Sequence, residues 1–273
     1  MCPSPILDGH CRGYVIPIGG AEEKINSPDI LQKFVELCGG KNANIVIIPT
    51  ASKLKDTGER YTKIFEELGA GYTYSLPITK RTDAKNEELL QHLEEATGIF
   101  ITGGNQLRLS TILGGTPVAQ AIRRQNAKGT HVAGTSAGAA IISQHMIIGG
   151  GTGIVPTEDG VNLAPGLGLS NQLVIDQHFN QRNRLSRLLT AVSYNPFLIG
   201  IGLDEDTAAF INEDNIFEVV GSGSITVIDP SDCDHSSMAE ARTGDAITII
   251  NVKLHILSSG SHFDINNKIA HLD

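Results

Sequence analysis

Runs of three to five mostly apolar residues, each ending at a Gly-rich or polar break, recur along the first half of the chain at 14–18, 44–48, 72–76, 99–102 and 131–133. Runs of this length between turn residues read as strands buried on both faces. Between most of them the apolar spacing changes to a helical period. Ser27-Pro28 predicts the N-cap and first residue of one helix, and Gly39 closes it. Residues 58–68 end similarly at Gly69, and 86–96 carry Leu89, Leu90 and Leu93 on one face before Gly98. Alternating strands and helices predict an α/β fold, a largely parallel sheet flanked by helices. In such sheets chemistry collects beyond the carboxyl ends of the strands.

Beyond 173–178 and a helix near 182–194, the pattern changes to short runs at 198–203, 207–211, 216–220, 224–228 and 246–250. These predict C-terminal antiparallel strands added at one edge of the sheet. The Gly/Pro-rich stretch 149–168 predicts a long loop near the site, since long loops in compact domains are often functional. No internal repeat, low-complexity tail or interdomain linker is present. Residues 1–273 are therefore expected to form a single domain, with 1–12 as an N-terminal extension and 254–273 as a tail of no assigned role.

Composition narrows the partners. With 273 residues, 40% of them hydrophobic, the chain can bury one large core or two modest ones, and the single core is the favoured reading. A formal charge of −9 and a pI near 5.4 argue against nucleic-acid or anionic-membrane surfaces, which need a basic face, and fit a cationic or zwitterionic substrate. Cys2, Cys11, Cys38 and Cys233 are scattered without CxxC spacing and read as reduced thiols. The N-terminus lacks a basic segment followed by a long apolar run, and no stretch approaches the ~18 apolar residues of a membrane span. A soluble, cytoplasmic protein is expected. The absence of GxxxxGK[ST], HExxH and Cys/His ligand spacings leaves no metal or cofactor expected.

The most informative segment is 130–143, which sets Gly134-Thr135-Ser136-Ala137-Gly138 between a short strand and a small-residue helix. A sharp strand-to-helix turn of this kind lifts a serine hydroxyl clear of the sheet, and a Cβ at either glycine would crowd it. The N–H of Ala137 would face a developing oxyanion, and Gly103-Gly104, after another strand, offer a second donor. Serine chemistry also needs a base and a group to orient it. His178 is the best-placed base, at the polar carboxyl end of 173–178; His131 reads as structural, and His145 lies too far along the helix after Ser136. His255 would serve if the order were Ser, acid, His, as in α/β-hydrolases. Asp204, Glu205 and Asp206 follow a strand end as orienting carboxylates or as a solvated turn. Arg182, Arg184 and Arg187 read as a carboxylate grip or as a solvated helix face.

Five blocks together resemble the cyanophycinases, serine exopeptidases related to dipeptidase E with a class I glutamine-amidotransferase-like, flavodoxin-like fold. They are IGGAEEK at 18–24, TGGNQLRL at 102–109, AGTSAGAA at 133–140, DQHF at 176–179 with RNRLSRLL at 182–189, and GLDEDT at 202–207. The resemblance implies Ser136 as nucleophile, His178 as general base and then acid, and Glu205 as the residue orienting it. It also implies Gln106, Asp176, Gln177, Arg182, Arg184 and Arg187 around the substrate. Gly104 and Ala137 are the expected oxyanion donors. The implied partner is cyanophycin, a poly-aspartate bearing arginine on each β-carboxyl, cut to β-Asp-Arg dipeptides by a homodimer. Three other readings stay open: a dipeptidase E-like aspartyl dipeptidase, an esterase using Ser136, Asp204 and His255, and a non-catalytic binding module on the same fold.

Overall fold

The computed structural model describes residues 2–272. The first half runs β1 (Val15–Ile18), α1 (Asp29–Leu37), β2 (Asn44–Ile48), α2 (Thr57–Glu67), β3 (Tyr72–Ser75), α3 (Glu87–Glu95), β4 (Gly98–Ile101), α4 (Gln106–Leu113), α5 (Pro117–Asn126), β5 (His131–Thr135) and α6 (Ala137–Ala140). Side chains cap three of these helices by accepting early N–H groups that have no intrahelical partner. Asn86 accepts from Glu88, Asn105 from Arg108, and Thr116 from Ala119 with Pro117 next to it. The first helix begins one residue later than its Ser-Pro signal suggests, at Asp29, and Gly39 follows its end at φ 111°.

The second half adds β6 (His145–Gly150), β7 (Val161–Pro165), β8 (Leu173–Gln177), α7 (Leu185–Tyr194), β9 (Ile199–Leu203), β10 (Thr207–Ile211), β11 (Ile216–Gly221) and β12 (Ser224–Asp229). It closes with β13 (His235–Ser236), β14 (Ile249–Ile250), β15 (Lys253–Ser258), β16 (Ser261–Asp264) and β17 (Ile269–Leu272). A nine-stranded sheet has the order β17-β16-β11-β10-β1-β5-β4-β2-β3. Its half from β1 to β3 is parallel, and β10, β11, β16 and β17 extend the other edge in antiparallel fashion.

Several expectations are corrected. The runs near 198–203 and 224–228 are not additions to the main sheet. They become β9 and β12 of a separate four-stranded sheet, β15-β12-β9-β8, in which β8 and β9 are parallel. Strands β8, β9 and β12 are buried on both faces because core lies on each side, a pattern that does not reveal which sheet a strand joins. The segment 246–250 contributes only β14 of a two-stranded ribbon with β13. Much of the expected loop 149–168 is taken up by the β6–β7 hairpin, whose register shifts between Ile147 and Gly149. The tail 254–273 supplies most of β15 and all of β16 and β17, although β15 and β17 are mostly exposed, which weakens its apolar signal.

Strand alternation divides the core. Ile45, Ile47 and Phe100 face α1 and α2, where they meet Phe34 and Phe65, whereas Val46, Ile48, Ile99 and Ile101 join the core beneath α3, α4, α5 and α6. Ile175, Ile201, Ile225 and Val227 from the second sheet share that latter core, so the two sheets pack through it. A smaller core joins Val174 and Ile228 to Leu188 and Val192 of α7. No helix among the described residues is long and apolar enough to cross a membrane.

Phe100 is fully buried, with ring centroids 4.8 Å from Tyr61, 5.0 Å from Phe65 and 5.9 Å from Phe34. Phe100→Ala is expected to cost about 3–5 kcal/mol in urea unfolding, because an aromatic cavity at a sheet–helix interface collapses only in part. A loss under about 1 kcal/mol would contradict its place in the core.

Candidate active site

Ser136 stands between the last residue of β5 and the first of α6, with φ 53° and ψ −111°. A β-carbon disfavours this region, and holding one there costs on the order of 1–3 kcal/mol. Close packing on both sides enforces the turn. A Cβ on Gly134 would lie 2.1 Å from the carbonyl oxygen of Gly138, and one on Gly138 would lie 2.1 Å from that of Ile101. The serine N–H donates to Ile18 O at 2.9 Å, and its carbonyl accepts from Ala139 and Ala140. Beneath it the Thr135 hydroxyl donates to the buried Glu22 carboxylate at 2.5 Å.

His178 reaches the serine from the other sheet. It follows β8, adopts φ 50°, and donates its backbone N–H to Gly19 O at 2.9 Å. A Cβ on Gly20 would come within 2.4 Å of the imidazole, so only a glycine lets the loop after β1 lie against the ring. His178 Nε2 is 2.8 Å from Ser136 Oγ, and its Nδ1 is 2.6 Å from Glu205 Oε1. A carboxylate can only accept, so Nδ1 carries the proton and Nε2 is left to accept the serine hydroxyl. Glu205 lies in the crossing from β9 to β10, and its backbone N–H is held by Gln181 Oε1 at 3.1 Å. The next residue, Asp206, accepts from the N–H of Glu23 at 2.8 Å and from the Ser222 hydroxyl at 2.6 Å, while its own N–H donates to Gly20 O.

Burial lowers the His178 pKa below the ordinary imidazole value, and the Arg182 and Arg184 charges push the same way; the hydrogen bond and charge of Glu205 oppose them. A neutral imidazole at neutral pH follows. The arrangement can take a proton from a hydroxyl oxygen and pass it to a departing group.

The other expected residues divide into exposed and buried sets. Gly103 and Gly104 line a cavity that also includes Ser136, and a Cβ on Gly103 would lie 3.3 Å from the serine Cβ. The N–H of Ala137 begins α6, where no preceding helical carbonyl is available to it. Gln106 is half-buried at the start of α4, and Arg182 is exposed. Asp176, Arg184 and Arg187 are buried and bind one another, in place of the open arginine cluster or solvated helix face expected. Arg187 Nε and Nη2 donate to the two oxygens of Asp176, and Arg184 Nη1 donates to Asp176 Oδ1 at 3.2 Å and to the carbonyl of Gln177. Burial lowers the Arg184 guanidinium to about 10, against the pull of Asp176, so it stays charged at neutral pH. Gln177 Oε1 is buried without a hydrogen-bond partner.

The esterase constellation does not assemble. Asp204 accepts from Asn180 and Ser224 instead of a histidine, and His255 lies on β15 against the Phe263 ring. His145 opens β6 instead of extending a helix, since α6 ends at Ala140. His131 accepts the Tyr14 N–H and is structural, as expected. Sequence reasoning missed Glu22 and Gln181 as parts of the site, and it offered Asp206 only as an orienting carboxylate or part of a solvated turn, not as the acceptor of the Glu23 N–H. The block 18–24 marked the first by family likeness alone, and nothing in the spacing of the others signals their contacts.

Comparison with known proteins gives one family and consistent relatives. The description "Peptidase family S51" matches residues 15–219. The chain is 43% identical over 253 residues to a cyanophycinase of Trichormus variabilis, covering 92% of this chain and 85% of that one. It is 42% identical over 259 residues to a cyanophycinase of Synechococcus elongatus, covering 94% and 80% respectively. Its fold is similar to a peptidase from an acI-B1 Actinobacterium, with a TM-score of 0.69 at 23% identity over 94% of this chain and 98% of the other. A putative peptidase E protein from Listeria monocytogenes EGD-e gives a TM-score of 0.52 at 22% identity, over 77% and 98%.

Two outcomes check this geometry. Histidine NMR should place the His178 pKa below 6.5, and Glu205→Gln should lower it further by removing the group that favours imidazolium; a rise in the variant would contradict the bond. Arg187→Met, which leaves Asp176 less compensated in the interior, should cost about 3–5 kcal/mol in urea unfolding. An unchanged midpoint would mean the pair is not buried as described.

Proposed function

The chain belongs to peptidase family S51, and from that premise we propose that Ser136, His178 and Glu205 form the catalytic triad of a serine exopeptidase acting on cyanophycin. The carrying observation is the unbroken hydrogen-bonded run from Ser136 Oγ through both nitrogens of His178 to Glu205, in a chain so similar to cyanophycinases. The strained turn at Ser136 serves as a nucleophile elbow. Ser136 Oγ attacks a backbone carbonyl of the poly-aspartate, and His178 Nε2 takes the hydroxyl proton as the O–C bond forms. Glu205 holds the imidazole in the tautomer that can accept it and stabilises the imidazolium that results. The N–H groups of Gly104 and Ala137 receive the oxyanion.

When the tetrahedral intermediate collapses, the C–N bond breaks and the imidazolium gives its proton to the departing amine. An acyl-Ser136 ester remains. Water, deprotonated by His178, then attacks the ester and restores the hydroxyl, and β-Asp-Arg is released overall. The buried position of Asp176, Arg184 and Arg187 supports a division of labour among the residues expected around the substrate. Gln106 and the exposed Arg182 meet it, while Asp176 and its two arginines fix the end of β8 that carries Gln177 and His178. The same reading makes the protein a cytoplasmic homodimer built of one catalytic domain; its four unpaired cysteines accord with a reducing compartment.

Incubated with insoluble cyanophycin, the protein is expected to release β-Asp-Arg, detected by mass spectrometry. Ser136→Ala should lower turnover by at least about 10⁴-fold while leaving binding to the polymer intact. Unimpaired release by that variant would overturn the assignment of the nucleophile, and no release by the wild type would overturn the substrate.

A further inference from the structure

A cavity of about 390 Å³ opens beside Ser136, Gly103 and Gly104, and none of the six residues expected around the substrate lines it. Its charged lining residues are Glu22, Lys24 and Arg60. Glu22 is 3% exposed, and both of its oxygens have partners. Oε1 accepts the Tyr61 hydroxyl at 2.5 Å and lies 3.2 Å from Lys24 Nζ, while Oε2 accepts the Thr135 hydroxyl at 2.5 Å. Lys24 Nζ also donates to the Glu22 carbonyl at 2.7 Å. An ammonium has three donors, so this one hydrogen bond and the ion pair hold Lys24 in place and leave it donor capacity for a ligand. Burial and the Glu22 charge push the Tyr61 hydroxyl pKa up, so it remains a donor. Arg60 is exposed at the cavity.

These observations decide which ligand charge fits. A guanidinium or ammonium entering here would meet two cations and a carboxylate whose oxygens are already engaged. A carboxylate would meet an ammonium held in place by its ion pair with Glu22 and the exposed Arg60 guanidinium, so two cations face it against one acid. We infer that this cavity is a carboxylate subsite, in which Lys24 and Arg60 hold a free carboxylate of the substrate next to the bond attacked by Ser136. A Ser–His–Glu constellation has no means of distinguishing a chain end from a chain interior, so a charge-reading subsite beside the nucleophile supplies that selectivity. The inference rests on the peptidase reading above. In a branched arginyl-aspartate chain the carboxylate has two sources, the main-chain terminus and the α-carboxylate of each arginine.

The test uses a short β-Asp-Arg oligomer in three forms: unmodified, amidated at the main-chain terminus, and amidated at the arginine carboxylates. Lys24→Met is expected to raise KM for the unmodified oligomer about tenfold with kcat little changed. One of the amidated forms should show a similar rise with the wild type and no further rise with the variant, since the lost contact is the same. Which form does so identifies the source. Lys24→Arg should restore the preference for the free acid, and Arg60→Gln, outside the Glu22 network, should shift KM in the same direction.

Equal losses by Lys24→Met on all three forms, or a fall in kcat at constant KM, would overturn the subsite. If the wild type cleaves none of the oligomers, the peptidase reading fails, and calorimetry with the Ser136→Ala protein judges the subsite separately. There, tighter binding of the free acid than of one amidated form, lost on adding Lys24→Met, supports the carboxylate site. Equal binding of all three forms overturns it.

Discussion

The hydrogen bond between Ser136 and His178 joins two sheets, and the rest of the site depends on how those sheets are held together. Ser136 ends a central strand of the nine-stranded sheet, whereas His178 ends a strand of the four-stranded one. Glu205 sits where the chain crosses from the second sheet back to the first. A contact of 2.8 Å across such a seam demands that the sheets keep their relative position to within a few tenths of an ångström. Backbone bonds across the seam supply this: His178 N–H to Gly19 O and Asp206 N–H to Gly20 O. Within the second sheet, Asp204 ties Asn180 to Ser224 and so fixes the turn that follows His178.

The local backbone follows from that arrangement. Ala21, Ser136, His178 and Asp206 all take positive φ values without being glycine. Each lies in one of the turns that meet at the seam, and each turn is over-determined by bonds or close packing. Strain at one such residue, on the order of 1–3 kcal/mol, is offset by the shared core and the seam bonds. Charge follows the same rule. Every carboxylate buried near the site, Asp176, Asp204 and Glu22, has donors on its oxygens, so these acids hold the surrounding chain in place.

Much of this was legible in the sequence, and what was not has definite causes. Strands β1 and β4 and the turn at Ser136 stand out because their apolar runs meet glycines, and β2 and β3 because theirs stop at Pro49 and Pro77. The steric need behind Gly134 and Gly138 is visible both in the residue pattern and in the structure. His178 could be chosen from its position at a strand end, but selecting Glu205 over Asp204 needed family likeness, since three adjacent acids look alike. The split into two sheets was hidden because β9 and β12 are buried on both faces, as central strands of either sheet would be. Arg184 and Arg187 read as open cations because a helix period does not show that Asp176, on a different element, faces them. Glu22 was missed for the same reason: its partners Tyr61 and Thr135 lie far away in sequence.

The account turns on a serine made nucleophilic by a neutral histidine across the seam. Its most direct measurement is the rate of covalent labelling by a serine-directed fluorophosphonate, with the modified residue located by peptide mass spectrometry. The account predicts a single adduct on Ser136, formed at least about a hundredfold more slowly in His178→Ala. Labelling of another serine, or labelling of Ser136 at an unchanged rate without the imidazole, would contradict it.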